Sequence, residues 1–492
     1  MLANLTPLPF TPPSADDMLR FAPELILSIA GTLLMVLDPF FAKSKPRLFG
    51  HVSIIAFIAA IFGAIGANSV AGPAFSNLLI VDGFATYFRV LVLVIGILSV
   101  LLSYRYLERE KAETSEYHAL LLFSVVGQCL MVASNDLIMI FIGLEISSIA
   151  SYILAGYLRD DKRNNEAALK YFLLGSFATG FFLYGVAVVY GLTGSTKLDI
   201  IRAKLSAPDV SLPVIGVAVA LLLVGLVFKV SGAPFQMWAP DVYQGAPAPV
   251  SAFMATAPKA AAFAIFLRIF MTAFQQSSSL WEPFIWISAL LSMTIGNFGA
   301  LTQNNLKRML AYSSIAHAGY LLVAIAARSE LGTAAAMFYL AAYALMNIGA
   351  FAVVIHISGK GERHLRIEDL AGLSQMQPVT AALLTVFLLS LIGVPLTGGF
   401  FGKFYIFNAA LKSNLVWLAV LGLLNSAVAA YYYLRLLVVM YMHEPGEVTK
   451  SLEPLSPGLG LALVLPAIGT FVLGIMPSAL LTFARSAAVL GK

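Results

Sequence analysis

Long apolar segments separated by short polar loops run along almost the whole chain. A helix needs about 20 mainly apolar residues to cross a membrane. The loops are short, and the longest, between the sixth and seventh segments, has room only for a surface turn or a short amphipathic helix. The pattern therefore predicts an all-α polytopic membrane protein with about fourteen spans, at roughly 22–42, 48–68, 81–104, 117–134, 137–157, 167–192, 212–239, 249–272, 282–302, 309–327, 332–357, 377–411, 414–440 and 457–481.

Two of these spans are unusually long and contain residues that interrupt helices. The seventh holds Gly232 and Pro234, and the twelfth holds Pro395, Gly398 and Gly399. Proline removes a backbone donor and clashes with the preceding turn, whereas glycine tolerates the resulting geometry. Unpaired backbone groups survive at membrane depth only when they are buried in protein or line a wet cavity. Both spans are therefore predicted to be broken helices.

The two broken helices lie five spans apart, which indicates a duplicated five-helix unit. Because each unit has an odd number of helices, the second copy must be inverted in the membrane, as in many ion-coupled transporters. The predicted organisation is helices 1–3 (1–116), a first repeat of helices 4–8 (117–272), a second, inverted repeat of helices 9–13 (273–440) and a C-terminal helix 14 (441–492). Two unrelated proline kinks are the alternative.

Composition supports a membrane location and excludes several kinds of function. Apolar residues make up 60% of the 492 and charged residues only 11%, whereas soluble domains carry about 25% charged residues. The net charge of +5 is spread over short loops without a run of like charges, so nucleic-acid binding is not expected. The single cysteine, Cys129, can ligate no iron–sulfur cluster, since clusters need about four.

Basic residues are more frequent in alternate loops, which predicts the orientation. They concentrate in the loops around 43–47, 105–111, 159–163, 307–308 and 360–366. Since positively charged loops stay on the cytoplasmic side, this face is predicted to be cytoplasmic and both termini to lie outside. The loop at 193–211 is the exception, because it places three basic residues on the outer side.

Five titratable side chains fall near the middle of predicted spans. An ionisable group at the centre of a bilayer costs about 2.5–3.5 kcal/mol on insertion scales, so each requires a reason. These groups are Glu145 in the fifth span, Lys229 in the seventh, Lys259 in the eighth, His317 in the tenth and Lys403 in the twelfth.

We interpret these five groups as a chain of proton carriers. A Lys229–Glu145 pair that closes and opens would make the lysine hold or release a proton. Lys259 and His317 would pass the proton laterally, since histidine suits relay work, and Lys403 would deliver it to the outer side. The alternatives are an inert Lys229–Glu145 ion pair, lysines that reach a membrane surface, and a neutral histidine bonded to Ser313 or Ser314.

Five further charged residues lie within spans or at their ends and are less favoured as proton carriers. Arg89, Lys170, Arg268 and Arg435 are expected near the membrane surfaces or extending towards them. Asp241, just past the seventh span, is expected to be a loop acid or helix cap.

Four stretches of the chain resemble a known family. Residues 228–247 (FKVSGAPFQMWAPDVYQGAP) are similar to the helix 7 signature of subunit N of bacterial NADH–quinone oxidoreductase, or complex I, whose mitochondrial counterpart is NADH dehydrogenase subunit 2. Residues 141–145, 307–317 and 393–403 fit the wider antiporter-like group. The resemblance covers essentially the whole chain in order.

The resemblance implies fourteen helices with two inverted five-helix repeats and proton translocation driven by NADH-to-quinone electron transfer in other subunits. Glu145, Lys229, Lys259 and Lys403 match the family's glutamate on helix 5 and lysines on helices 7, 8 and 12. The lysine on helix 12 is similar to subunit N rather than subunit M. Gln236 and Gln244 stand where relatives often carry His and Glu, which leaves the roles of these two positions in doubt.

The resemblance also implies where the chain works and with what. The expected location is the bacterial inner membrane, and the expected partners are lipid and other complex I subunits, especially neighbouring antiporter-like and small membrane subunits. No nucleotide, flavin, haem or metal motif is visible, so this chain is expected to carry no cofactor; NADH, FMN, iron–sulfur clusters and quinone would bind partner subunits. Alternatives are a subunit of a multi-subunit sodium/proton antiporter, an organic-solute transporter and a purely structural subunit.

Overall fold

The computed structural model of this chain describes residues 12–41, 47–206 and 211–490, and most of them are helical. The first eleven α-helices are α1 (Ala15–Arg20), α2 (Ala22–Phe41), α3 (Arg47–Asn68), α4 (Gly83–Glu110), α5 (Ser115–Ala133), α6 (Leu137–Ala155), α7 (Lys162–Thr193), α8 (Leu198–Leu205), α9 (Leu212–Lys229), α10 (Trp238–Gly245) and α11 (Ala248–Met254). The others are α12 (Ala257–Arg268), α13 (Ser278–Leu301), α14 (Leu306–Ala326), α15 (Glu330–Ile357), α16 (Leu373–Met376), α17 (Pro378–Ile392), α18 (Gly398–Lys412), α19 (Val416–Met442), α20 (Glu447–Lys450), α21 (Pro457–Ile475) and α22 (Pro477–Ala487). A π-helical turn (Ile269–Ala273) continues α12, and 3-10 turns cover Gln275–Ser277, Lys360–Glu362 and Ile367–Leu370.

The helices confirm a multi-pass membrane fold. Thirteen helical segments among the described residues are long and apolar enough to cross a membrane, with Ala248–Ala273 forming one of them. The pair α17 and α18 occupies the twelfth predicted span, which accounts for all fourteen. The loop between the sixth and seventh spans contains a short helix, α8, as predicted. The inverted relation of the two five-helix units stays a prediction.

The first break separates α9 from α10 and contains Gly232 and Pro234, as predicted. Ala233, between them, has backbone groups with no partner in either helix. Its N–H donates to the Ser292 hydroxyl (2.8 Å), and its carbonyl accepts from the Ser288 hydroxyl (2.5 Å). Two serines of α13 therefore satisfy the backbone that the break exposes, as burial in a membrane requires.

The second break separates α17 from α18, and Pro395 lies in it. Gly393 ends α17 with a φ of 96°, a left-handed conformation that favours glycine. The other two predicted break residues, Gly398 and Gly399, are instead the first residues of α18. The N–H of Gly399 donates to the Ser390 hydroxyl (3.1 Å), and a Cβ atom at Gly399 would lie 1.8 Å from the Ser390 carbonyl oxygen. The two half-helices therefore approach as closely as glycine allows.

A small hairpin was not predicted. Strands β1 (Gly72–Ala74) and β2 (Leu79–Val81) pair antiparallel, with Gly72 opposite Val81. Strands of three residues are too short to give an alternating pattern that can be recognised, which explains the omission. The hairpin does not alter the all-α class of the fold.

The centre of the fold is formed by α12, α14 and α15, whose residues are almost all buried. Lys259 lies on α12 and His317 on α14, and they are each only 1% exposed. Helices α2, α3, α7, α19 and α21 keep many apolar side chains on the outside. These two titratable groups thus lie at the core of the molecule, and the periphery presents apolar surface.

Loops predicted to share a membrane face contact one another. On one face the N–H of Gly361 donates to the Glu110 carboxylate (2.9 Å). On the other face Asp136 forms a β-bridge with Lys197. These contacts support the alternation of the loops, while the cytoplasmic assignment stays a prediction. Residues Lys43 and Lys45 and the two chain termini, on which that assignment also draws, lie outside the described residues.

The close approach at the second break leads to a test. Gly399→Ala should lower the free energy of unfolding by about 1–3 kcal/mol, because the added methyl group forces α17 and α18 apart. The measurement is the thermal unfolding midpoint of the detergent-solubilised protein. Gly460→Ala on α21 is the matched control, since a Cβ atom there meets nothing within 4 Å. Equal midpoints for both variants would contradict the packing described here.

Candidate functional site

Lys229 is the last residue of α9, so its side chain lies at the first break. Its ammonium group donates to the hydroxyls of Ser148 (2.6 Å) and Tyr152 (3.3 Å), both on α6. A cavity of about 20 Å³, lined by these helices and by Trp238 of α10, lies beside it. A cavity of this size holds about one water molecule. Lys229 therefore has hydroxyl partners and room for water next to it.

Glu145 does not pair with Lys229 in this conformation. It lies on α6, one turn before Ser148, and its Oε1 atom is buried without a hydrogen-bond partner among the described residues. Ile142 and Ile149, on the same side of α6, are 40% and 51% exposed. The carboxyl group thus lies on an outward-facing side of α6, and the inert Lys229–Glu145 ion pair is not observed.

Lys259 is buried at the centre of the chain, on α12. Its ammonium group donates to the backbone carbonyl of Ser314 (3.0 Å) and also to the Ser314 hydroxyl. Because the side chain is 1% exposed, it does not extend to a membrane surface. Lys259 is therefore joined directly to α14, the helix that carries the predicted histidine.

His317 of α14 lies between two tyrosines rather than against a serine. Its Nδ1 atom is within hydrogen-bonding distance of the Tyr339 hydroxyl, and its Nε2 atom is 3.2 Å from the Tyr433 hydroxyl. Tyr433 in turn contacts the Ser313 hydroxyl. The hydroxyl partners of the ring are therefore Tyr339 and Tyr433 rather than Ser313 or Ser314. A hydroxyl on each ring nitrogen allows either tautomer, since a hydroxyl both donates and accepts.

Lys403 of α18 reaches back to the end of α17. Its ammonium group donates to the carbonyls of Leu391 and Ile392, both at 2.9 Å, and to the Ser426 hydroxyl at 2.8 Å. The two carbonyls belong to the last turn of α17 and have no following helical turn to pair with. Lys403 therefore satisfies the backbone groups that the second break leaves free.

The three lysines share one property. Among the described residues no carboxylate lies in salt-bridge contact with Lys229, Lys259 or Lys403; hydroxyls, carbonyls and aromatic rings surround them instead. A buried charge is costly unless it is paired. Lys259 and Lys403 are therefore buried, and Lys229 partly buried, without an opposite charge in contact.

Helix α14 connects the lysines of the two predicted repeats. Ser314, His317 and Tyr320 follow at intervals of three residues and share one side of the helix. Lys259 contacts the first of them, and the ammonium of Lys403 lies 4.8 Å from the ring centre of the last. The structure therefore brings Lys259, His317 and Lys403 into one line, with Lys229 and Glu145 further along at the first break.

One buried ion pair escaped the sequence reasoning. Arg89 of α4 and Glu24 of α2 are both 0% exposed, with Nη2 and Oε1 2.6 Å apart. The expectation that Arg89 extends to a membrane surface is therefore wrong. Both residues lie near the start of an apolar run, where a charged side chain can usually reach the membrane surface. Only their pairing in the structure shows that they are buried instead.

A second missed pair joins four segments at one face. Lys307 Nζ lies 2.7 Å from Glu362 Oε2, and Lys307 also donates to the Ala246 carbonyl. The other carboxylate oxygen accepts from the Tyr106 hydroxyl (2.8 Å) and the Ala248 N–H (2.7 Å). The pair is buried and holds both sides of the turn between α10 and α11. Loop composition alone gave no signal of this arrangement.

Asp241 of α10 is more than a loop acid. It forms ion pairs with Lys170 of α7 (2.9 Å) and Arg308 of α14 (2.7 Å), and so links the two predicted repeats. Burial raises the pKa of the Asp241 carboxyl, but the hydrogen bonds from Lys170 and Arg308 outweigh it and hold the pKa below its usual value. Asp241 is therefore ionised at neutral pH.

The three other basic residues expected near the membrane surfaces also have partners. Lys170 forms a second ion pair, with Glu166 (2.7 Å), and is 41% exposed. Arg268 is nearly buried in an ion pair with Asp82 (2.9 Å). Arg435 donates to the Asn304 side chain (2.8 Å). These residues fix the ends of helices and lie outside the line formed by Lys259, His317 and Lys403.

Comparison with known proteins identifies the family of the chain. Residues 134–429 match the family model described as NADH:quinone oxidoreductase/Mrp antiporter, transmembrane. NADH-quinone oxidoreductase subunit N 1 of Solibacter usitatus is 67% identical, over 96% of this chain and 97% of that protein. The chain belongs to the subunit N family of NADH–quinone oxidoreductases. This confirms the resemblance that residues 228–247 carry.

Solved structures agree with membership of the subunit N family. A chain of respiratory complex I from Thermus thermophilus with bound aureothin is 36% identical, with a TM-score of 0.80 and coverage of 95% of this chain and 99% of that one. A chain of the Mrp complex from Dietzia is 21% identical, with a TM-score of 0.83. The match covers 96% of this chain and 97% of that one. The Dietzia likeness shows the fold alone, so subunit N is better supported than the antiporter alternative.

The contribution of the buried Lys307–Glu362 ion pair to stability can be tested in the assembled complex. Glu362→Gln should destabilise the assembled complex by about 3–5 kcal/mol, because it leaves the buried Lys307 charge unpaired. The measurement is the fraction of complex that remains assembled after heating, followed on native gels.

The matched control for Glu362→Gln is Glu108→Gln. Glu108 pairs with Arg47 at the surface, where the two side chains are 55% and 65% exposed, and such pairs contribute at most about 1 kcal/mol. If Glu362→Gln is no more damaging than Glu108→Gln, the role assigned to the buried pair is wrong.

Proposed function

We propose that this chain carries protons across the membrane through Glu145, Lys229, Lys259, His317 and Lys403. The driving reaction is electron transfer from NADH to quinone in other subunits of the oxidoreductase. The observation that carries the proposal is the buried line from Lys259 to Lys403 through α14, with a lysine at each helix break. A structural subunit would not need two buried lysines and one partly buried lysine without carboxylate partners.

The proposed path begins at the first break. The cavity beside Lys229 supplies space for water, and the Ser148 and Tyr152 hydroxyls offer the first hydrogen bonds. Glu145 lies one helical turn from Ser148, so a movement that turns its carboxyl group from the outward-facing side of α6 towards Lys229 would bring the two groups together. A carboxylate near a lysine stabilises its protonated form, and withdrawal of the carboxylate favours release.

The middle of the path runs along α14. Lys259 passes a proton to the Ser314 side of the helix, and His317 accepts and releases it at its two ring nitrogens. The hydroxyls of Tyr339 and Tyr433 keep both nitrogens hydrogen-bonded, which lets the ring change protonation state without an unpaired donor or acceptor. Histidine serves in such relays because its unperturbed pKa is about 6.5.

The path ends at the second break. Lys403 is hydrogen-bonded to the freed carbonyls of α17, and movement of α17 against α18 would change these contacts directly. A lysine that loses its carbonyl partners must find others or release its proton. The proposed exit is to the face of the membrane on which α18 ends.

The remaining parts of the proposal concern partners and location. The solved Thermus thermophilus relative belongs to a respiratory complex I, which supports assembly of this chain with other antiporter-like and small membrane subunits. NADH, FMN, iron–sulfur clusters and quinone would bind those partners, while this chain supplies no redox group. The proposed location is the bacterial inner membrane, with the face bearing loops 105–111, 159–163 and 360–366 in the cytoplasm.

Replacement of a break lysine tests the proposal. Lys229→Ala and Lys403→Ala should abolish proton pumping and slow coupled quinone reduction by tenfold or more, about the loss expected when an essential proton-transfer group is removed. The measurements are NADH-driven acidification and NADH oxidation by the assembled complex in sealed vesicles. Lys412→Ala is the matched control, since Lys412 ends the same helix as Lys403 but is exposed. A normal proton-to-electron ratio in both break-lysine variants would reduce these lysines to structural groups.

A further inference from the structure

The proposed proton path has a gap between Lys229 and Lys259. In this conformation Lys229 donates to Ser148 and Tyr152 of α6, whereas Lys259 donates to Ser314 of α14. Among the described residues no hydrogen bond joins the partners of one lysine to those of the other. A further group between the two lysines is therefore needed to complete the path.

The cavity beside Lys229 leads towards the segment that carries Lys259. Met254 of α11 and Pro258 of α12 also line this cavity, and Pro258 directly precedes Lys259 in the chain. The carbonyl of Met254 accepts a hydrogen bond from the Tyr243 hydroxyl (3.3 Å), and Tyr243, on α10, is 0% exposed. A buried hydroxyl therefore contacts a residue of the cavity wall, close to Lys259.

Two serine hydroxyls lie beside the hydroxyl of Tyr243. One belongs to Ser314, the partner of Lys259, and the other to Ser231, which lies in the first break two residues after Lys229. Ser231 is 0% exposed, and its hydroxyl has no hydrogen-bond partner among the described residues in this conformation. A buried hydroxyl without a partner is costly, so Ser231 is expected to form a hydrogen bond in another conformation.

We propose that the Tyr243 hydroxyl carries the proton from the first break to Lys259, a step that rests on the proposed path and closes its gap. In the present conformation this hydroxyl donates to the Met254 carbonyl, and the connection is broken. When its O–H bond turns towards Ser314, the Ser231 hydroxyl donates to the Tyr243 oxygen and holds this second orientation. Tyr243 is then a proton-transfer group, and Ser231 is a positioning residue.

The ring of Tyr243 is held in place, so only its hydroxyl proton has to move. The ring packs edge-on against Trp238 of the same half-helix, with ring centres 5.8 Å apart. The Ser251 hydroxyl donates to the Tyr243 backbone carbonyl (2.7 Å) and ties α10 to α11. Rotation about a single C–O bond, without movement of a helix, therefore makes or breaks the connection.

The transfer moves one positive charge and leaves each hydroxyl as it was. Withdrawal of the Glu145 carboxylate favours release of a proton from Lys229. A water molecule, for which the cavity has room, takes that proton and gives one to the Tyr243 oxygen. Tyr243 releases its own hydroxyl proton to the Ser314 oxygen, and Ser314 gives its proton to the neutral amine of Lys259. Lys229 ends as an amine and Lys259 as an ammonium.

Removal of the Tyr243 hydroxyl tests this step. Tyr243→Phe keeps the ring but should slow proton translocation by about tenfold or more, since a positioned proton-transfer group contributes at least that much. The measurement is translocation per NADH oxidised, and its rate, in sealed vesicles containing the assembled complex. Tyr87→Phe is the matched control, because Tyr87 is also buried and its hydroxyl also donates to a backbone carbonyl, that of Met337 (2.7 Å), but on α4.

Ser231→Ala separates positioning from packing. Removal of an unpaired buried hydroxyl should leave the thermal unfolding midpoint of the solubilised complex unchanged or raise it, so packing alone predicts normal translocation. The proposed role predicts translocation that is about threefold slower, as the loss of one hydrogen bond implies. Ser99→Ala is the matched control, since Ser99 is equally buried and its hydroxyl donates to the Ile95 carbonyl of its own helix (2.8 Å).

Lys229→Ala, measured in parallel vesicles, distinguishes failure of this step from failure of the whole path. Slow translocation by Tyr243→Phe and Ser231→Ala, with both controls normal, supports the step. If Lys229→Ala abolishes translocation but Tyr243→Phe behaves as Tyr87→Phe does, the path stands and the role of Tyr243 is wrong. If the Tyr243→Phe complex does not assemble, normal translocation by Ser231→Ala overturns the connection. If Lys229→Ala translocates protons normally, the proposed path itself fails.

Discussion

The rest of this structure depends on how backbone groups at the two helix breaks find partners inside a membrane. Lipid chains offer no hydrogen bonds, so each freed N–H or carbonyl must be satisfied by protein or by water in a cavity. At the first break, hydroxyls of Ser288 and Ser292 meet both backbone groups of Ala233. At the second, the ammonium of Lys403 meets the last carbonyls of α17. A titratable side chain therefore forms part of the helix break itself, and any change in its charge alters the backbone contacts that hold the break.

This arrangement links the position of the half-helices to the position of a proton. A charged Lys403 donates to two carbonyls and a hydroxyl at once, which fixes α18 against α17. A neutral amine has fewer protons to donate and holds the half-helices less firmly. The reverse also applies, because movement of one half-helix removes partners from the lysine. Local charge and local geometry are thus coupled at this break.

Much of this could be predicted from the sequence, because each feature violates the rules for a plain membrane helix. The spans are visible as apolar runs, the breaks as proline and glycine within them, and the candidate carriers as charges that the bilayer penalises. Partners could not be predicted in the same way. Whether Arg89 meets Glu24, or His317 meets tyrosines rather than serines, depends on how helices far apart in sequence rotate against one another. The three-residue strands could not be predicted because they are too short to show an alternating pattern of apolar and polar residues. The inverted repeat stays a prediction.

We propose that water and side chains join Lys229, Lys259, His317 and Lys403 into a path that opens during turnover. The most direct measurement is a structure of the assembled complex, trapped while it oxidises NADH, at a resolution that shows ordered water. We expect water beside Lys229 in the cavity that Trp238 lines, and a hydrogen-bonded connection from Ser314 through His317 to Lys403 in at least one state. Dry, unchanged packing between Lys259 and Lys403 in every state would contradict it.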